Sequence, residues 1–132
     1  IVAVDPDDAN NMVAQTTKAT GSEVFAGTVV GTGDLLTPIP LTATESSISV
    51  RVRAPAAGIP VTFKIENSDA SVALESTPVN TTAADTWETL IFNFSGADFS
   101  VDYVKGIVFF DLGGAGNDAV YYWDDVQFGD GS

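Results

Sequence analysis

The sequence predicts an all-β fold, a two-sheet antiparallel β-sandwich of jelly-roll type, with residues 1–132 forming one domain. Three observations predict it. Stretches rich in Val, Ile, Thr and Phe alternate apolar and polar residues with the period of a strand. Clusters of Gly, Pro, Asn and Asp interrupt them at short, regular intervals. No stretch carries a convincing helical period, so about eight short strands must share one core.

The elements follow in order. Ile1 to Val4 is a short β-like run, ended by the acidic, turn-rich loop Asp5 to Asn11. Met12 to Thr17 alternates as a strand, and Ala19 to Ser22 turns the chain. Val24 to Val30 is the next strand, with Gly27 marking a bulge or a close approach. Gly31 to Asp34 is a loop, and Pro38 and Pro40 hold the following segment extended. Ser47 to Arg53 is a strand with Ile48, Val50 and Val52 inward and Ser49, Arg51 and Arg53 outward. Ala54 to Gly58 turns it into Ile59 to Asn67, where Val61, Phe63 and Ile65 oppose Thr62, Lys64 and Glu66. The pair reads as an antiparallel hairpin. Val72 to Pro78 and Trp87 to Phe94 are further strands, the latter with Leu90, Phe92 and Phe94 inward. The apolar run Gly106 to Leu112 suits a central strand. The loop Gly113 to Asp118 precedes the last strand, Tyr121 to Phe128.

Composition narrows the function. The net charge is −13, and the only basic residues are Lys18, Arg51, Arg53, Lys64 and Lys105. Such a chain is repelled by phosphate backbones and anionic lipid, so nucleic-acid and membrane partners are not expected. The acidity fits a surface adapted to salty water or to an extracellular setting. With no Cys and no His, disulfides, Cys/His zinc sites and His-dependent triads are excluded. Neither a nucleophile motif nor a phosphate loop is present, which points away from an enzyme. No apolar run is long enough to cross a membrane as a helix. The chain begins at Ile1 without a Met and reads as a piece of something larger.

Two constellations stand out. Arg51, Arg53, Lys64 and Glu66 share the outward parity of the expected hairpin. That face is either a salt-bridged sheet surface or a binding face whose cations donate to sugar hydroxyls while Glu66 accepts. In the last strand, Val126 and Phe128 set the core parity, which also carries Tyr122 and Asp124. The other parity shows Tyr121, Trp123, Asp125 and Gln127. An inward Asp124 needs a cation or a dense set of hydrogen bonds. Outward Tyr121 and Trp123 would offer a stacking platform, provided that their strand joins the sheet of the basic face. Trp87 reads as an edge or core anchor, with sugar stacking the alternative; Phe25, Phe109 and Phe110 read as core. Asp5, Asp7 and Asp8 with Asp124 and Asp125 are oxygen-rich but lack EF-hand spacing.

A family pattern emerges from these pieces. Val50-Arg51-Val52-Arg53-Ala54-Pro55, Ala57-Gly58-Ile59-Pro60-Val61, Lys64-Ile65-Glu66, Trp87-Glu88-Thr89-Leu90, Val108-Phe109-Phe110-Asp111 and Tyr121-Tyr122-Trp123-Asp124-Asp125-Val126 occur in that order. Over roughly Met12 to Phe128 the chain resembles jelly-roll carbohydrate-binding modules of families four, sixteen and twenty-two, found in secreted, often marine, bacterial polysaccharide-degrading enzymes. The resemblance implies a non-catalytic, extracellular module that binds a β-glucan-like polysaccharide and carries a structural calcium. Its calcium ligands map to Asp124 and to the Lys18 carbonyl. The acidic N-terminal strand of such modules precedes Ile1, so Asp5 substitutes for it, the strand is missing, or another chain supplies it. The last case leaves an open sheet edge for strand addition, and with it an alternative role as a structural or adhesive subunit.

Overall fold

The computed structural model describes residues 2–20, 28–29, 39–42, 44–111, 114, 116 and 118–128. Among them are ten strands and no helix: β1 (Val2–Asp5), β2 (Asp8–Lys18), β3 (Thr28–Val29), β4 (Ser47–Arg53), β5 (Pro60–Glu66), β6 (Ala73–Glu75), β7 (Val79–Asn80), β8 (Trp87–Asn93), β9 (Lys105–Phe110) and β10 (Ala119–Phe128). They form two antiparallel sheets. The first runs β1-β2-β10-β4-β8; the second runs β3-β9-β5-β6, with β7 also paired to β5. This is the expected two-sheet sandwich. Phe25, Gly27, the Gly31–Asp34 loop and Pro38, for which the sequence sets expectations, lie outside the described residues.

Alternation built the core as the sequence predicts for β4, β5 and β8, and the apolar run of β9 completes it. Ile48, Val50 and Val52 of β4 face Val61, Phe63 and Ile65 of β5 and are fully buried, joined by Leu90 and Phe92 of β8 and Val108 and Phe110 of β9. Phe63 reaches across the sandwich, its ring 5.8 Å from Phe92 and 6.2 Å from Phe94.

Four expectations fail, each for a local reason. First, β4 and β5 are not a hairpin: they lie in different sheets, and Ala54–Ile59 arches between them. Thr81 fixes that arch. Its backbone pairs with Gly58 and Ile59, and its hydroxyl donates to the Ala56 carbonyl at 2.8 Å and accepts from the Ile59 amide at 3.0 Å. Gly58, at φ 78°, supplies the left-handed bend. Because Thr81 is buried, Thr81→Val removes both hydroxyl bonds and leaves the arch amide unsatisfied. The expected loss is about 1–3 kcal/mol in a urea titration.

Second, the acidic segment Asp5 to Asn11 is not a loop. Only Pro6 and Asp7 form the turn, and β2 begins at Asp8, opposite Asp5. The Asp5 carboxylate accepts the Asp7 amide at 2.8 Å and so stabilises a tight hairpin. Third, Phe109 is nearly buried but points to the outer side of the second sheet, opposite Thr62, and is not part of the main core cluster.

The fourth correction concerns β10. Between Asp124, paired with Arg51, and Gln127, paired with Ser49, β10 spends one residue more than β4. Asp125, at φ 49°, forms this bulge. Alternation therefore changes phase within the strand. Val126 packs on the core, as expected, but upstream of the bulge the inward residues are Tyr121 and Trp123. Tyr121 stacks on Phe110 at 4.4 Å, and the Trp123 indole donates to the Thr16 hydroxyl at 3.0 Å. Tyr122 and Asp124 are the outward pair.

Candidate functional site

The sandwich offers two outer faces, and the arch divides the candidate residues between them. Arg51 and Arg53 lie on the outer face of the first sheet with Tyr122, Asp124, Trp87 and Thr89. Lys64 and Glu66 lie on the outer face of the second. Tyr121 and Trp123 are on neither, being 1% and 6% exposed in the core, so they offer no surface for stacking.

The first face is closed upon itself. Arg51 grips Asp124 with two bonds of 2.7 Å, approaches Asp5 at 3.9 Å and Asp125 at 3.6 Å, and lies 4.0 Å above the Trp87 ring. These bonds to Asp124 push the guanidinium pKa up, against the opposing effect of partial burial. Arg53 pairs with Asp7 at 3.0 Å and Asp85 at 3.7 Å and leans toward Tyr122. One face of the indole is thus taken by a guanidinium, and both arginines are engaged by carboxylates. Trp87, β8's edge residue, serves as an anchor: its N–H donates to Asp5 at 3.0 Å. A shallow polar depression lined by Ser49, Arg51, Thr89, Asp125 and Gln127 adjoins this network without an aromatic wall.

Asp5 is the hub on the β1 side, 4% exposed. Burial pushes its carboxyl up, but the Asp7 amide, the Trp87 indole, the Asn11 amide and the charge of Arg51 together hold it below its ordinary value of 3.8. Hydrogen bonds from Ser71, Ser100 and Thr20 likewise hold Asp69, Asp98 and Asp118 low. A carboxylate depressed in the folded state binds fewer protons folded than unfolded as pH falls through this range. Its stabilisation is complete above the unfolded value and is lost as pH drops through the folded one. The melting temperature is therefore expected to hold from about pH 8 to pH 5 and to fall below about pH 4. Asp5→Asn should flatten the acid limb in a calorimetric pH series.

The second face is built differently. Register places Lys64 beside Ile107 and Glu75, Glu66 beside Lys105 and Ala73, and Thr62 beside Phe109. Lys64 pairs with Glu66 at 3.2 Å, and its side chain is 28% exposed. Two lysines and two glutamates thus balance one another around Ile107, in a chain whose net charge is −13. On the same face the Thr62 hydroxyl is buried and has no hydrogen-bond partner among the described residues. Ammonium and carboxylate groups beside an apolar side chain match the mixed surface of a sugar ring. Lys105, Ile107 and Glu75 were not picked out from sequence, although β9's outward parity carries two of them.

The calcium donor set is not assembled. Asp5 and Asp124 both turn to Arg51. Lys18 lies opposite Ala119, five residues along β10 from Asp124, or about 17 Å at strand rise. Its carbonyl accepts the Asp118 amide at 2.8 Å. Among the described residues no group of three or more His, Cys, Asp or Glu is placed to hold a metal ion, and no helix is long and apolar enough to cross a membrane.

No family model matches the chain, and no curated protein matches it. The solved structures of similar fold include two mutants of one module. One is a lysine-to-alanine mutant of CBM29-2, from work on ligand recognition by family 29 carbohydrate-binding modules. It matches 90% of this chain and 73% of that one, at 17% identity and a TM-score of 0.56. The other is an aspartate-to-alanine mutant of CBM29-2 complexed with mannohexaose, matching 86% of this chain and 89% of that one, at 15% identity and a TM-score of 0.43. The fold of this chain is the β-sandwich seen in a family 29 carbohydrate-binding module, which fits the resemblance to jelly-roll carbohydrate-binding modules drawn from the sequence.

Proposed function

We propose that the chain is a non-catalytic carbohydrate-binding module that attaches a larger secreted protein to a neutral, β-glucan-like polysaccharide through the outer face of the β3-β9-β5-β6 sheet. The observation that carries this reading is the charge-balanced row of Lys64, Glu66, Glu75 and Lys105 around Ile107. Lys64 donates to hydroxyls, Glu66 accepts, and Ile107 meets the apolar side of a ring. The fold shared with carbohydrate-binding modules supports it. The chain's overall negative charge disfavours uronate-rich and sulfated polymers.

Calorimetry against laminarin, mixed-linkage glucan, glucomannan, xylan and alginate tests it. Binding to a neutral β-linked polymer is expected, with little dependence on salt. Lys64→Ala should weaken it at least about tenfold, or ~1.4 kcal/mol, at unchanged melting temperature. Silence toward every polymer would sink the reading.

One observation favours a second reading. β1 is an edge strand, and Val2, Val4 and Met12 beside it are 71%, 50% and 57% exposed. This is the edge at which the chain would add a strand as a structural or adhesive subunit. Sedimentation velocity separates the two: a monomer with glycan affinity rejects assembly.

A further inference from the structure

Two of the five basic residues are seated where oxygens converge. Lys18 is 4% exposed at the end of β2, in the first sheet. Its ammonium donates to the Phe110 carbonyl at 3.2 Å and to the Asp111 carbonyl, both at the end of β9 in the second sheet. Among the described residues no carboxylate forms an ion pair with it. The contact is a cation held by main-chain oxygens, and it ties the two sheets at one end of the sandwich.

Arg51 does the corresponding work within the first sheet. Its guanidinium lies between the carboxylates of Asp124 on β10 and Asp5 on β1, with Asp125 at 3.6 Å. Calcium takes six to eight oxygen ligands at about 2.3–2.6 Å, and a site there would need both carboxylates turned to one point. That point is already filled by a fixed positive charge on a strand of the core. A divalent ion would have to displace the guanidinium from two bonds of 2.7 Å and from the Trp87 ring.

We infer that Arg51 and Lys18 replace a structural calcium ion: the chain's own cations bridge the N-terminal strands to β10 and β9, and the fold is held without metal. Guanidinium geometry suits this exchange, because a planar fork bonds a carboxylate at both oxygens. The inference is independent of glycan binding and stands or falls without it.

The test is a set of melting curves on the whole chain, in chelator and in millimolar calcium, with calcium binding followed by calorimetry. The wild-type chain is expected to melt at the same temperature in both and to bind no calcium. Arg51→Gln frees Asp5, Asp124 and Asp125 from their cation. It is expected to melt lower in chelator, to regain part of the loss in calcium, and to bind the ion at least about tenfold more tightly than wild type. Arg51→Lys keeps a charge there and should show no calcium response. Lys18→Met should melt lower in both solutions, since two carbonyls alone are too few ligands for the ion. A wild-type chain that loses stability in chelator, or retains one calcium after dialysis, overturns the inference. So does an Arg51→Gln variant that is indifferent to calcium. An unchanged melting temperature in Lys18→Met removes Lys18 from it.

Discussion

Trp123→Ala is expected to lower the stability by about 3–5 kcal/mol, the cost of emptying a large aromatic site in a packed core. The indole is 6% exposed and belongs to the main core cluster, to which residues of both sheets contribute. It also donates to the Thr16 hydroxyl on the neighbouring strand, which the truncation leaves without that donor. For a chain of this length each kcal/mol moves the melting temperature by about 3–5 °C, so the shift exceeds ~10 °C. Trp123→Phe retains most of the volume and should lose much less, while glycan affinity stays at the wild-type value. Urea midpoints and calorimetry of the two variants check this. An alanine variant of normal stability that had lost the glycan would return Trp123 to the surface.

Phe63→Ala is expected to cost a similar 3–5 kcal/mol, for a different reason. Phe63 is fully buried and lies on β5, yet its ring contacts are Phe92 on β8 and Phe94 just beyond, on the opposite side of the sandwich. Removing it opens the seam between the sheets, and two aromatic pairs, one tilted and one edge-on, worth about 0.5–1.5 kcal/mol each, are lost with it. A domain with the usual margin of about 5–15 kcal/mol would give up roughly a fifth or more of its stability. A double-mutant cycle with Phe92→Ala should return a coupling of about 1 kcal/mol, because the two changes share one cavity. Independent losses that simply add would show that the sheets do not meet at this pair.

The parts of the fold legible in the sequence are those where one strand has one phase. In β4, β5 and β8 the inward residues are as alternation predicts, since each has a buried side and no irregularity. Alternation fixes which way a side chain points but not which strand comes next to it. That is why Ser47 to Arg53 and Ile59 to Asn67, joined by a turn-like Ala-Pro-Ala-Ala-Gly, read correctly as strands and incorrectly as a hairpin. The arch is decided by Thr81, which is remote in sequence and signals nothing by itself. The candidate site suffered accordingly. Lys64 and Glu66 do share a face, but Arg51 is on the other side of the molecule. Asp124 reads from the sequence as an inward carboxylate needing a cation or a dense set of hydrogen bonds; it faces outward, and its partner is Arg51 on the adjacent β4, 73 residues earlier in the chain and invisible in a linear reading. Trp87 gave no signal for its Asp5 partner, because that bond depends on β1 and β8 approaching across the same outer face.

Asp125 shows that chain length and side-chain identity constrain a strand separately. Its own side chain is largely in solvent, 64% exposed, and asparagine or glycine would tolerate its left-handed backbone. The position is therefore permissive to replacement. The bulge it forms is a different matter. If the strand ran regular through Asp125, strict alternation would continue past Trp123 and Asp124, swinging Val126 out to water and drawing the polar side chain of Gln127 toward the core. Deleting the residue removes surplus and bulge together: Val126 would then follow Asp124 directly and stay inward, with Gln127 still outward opposite Ser49. Extra residue and kink are thus a matched pair, and the end of the strand turns inside out only when one is kept without the other.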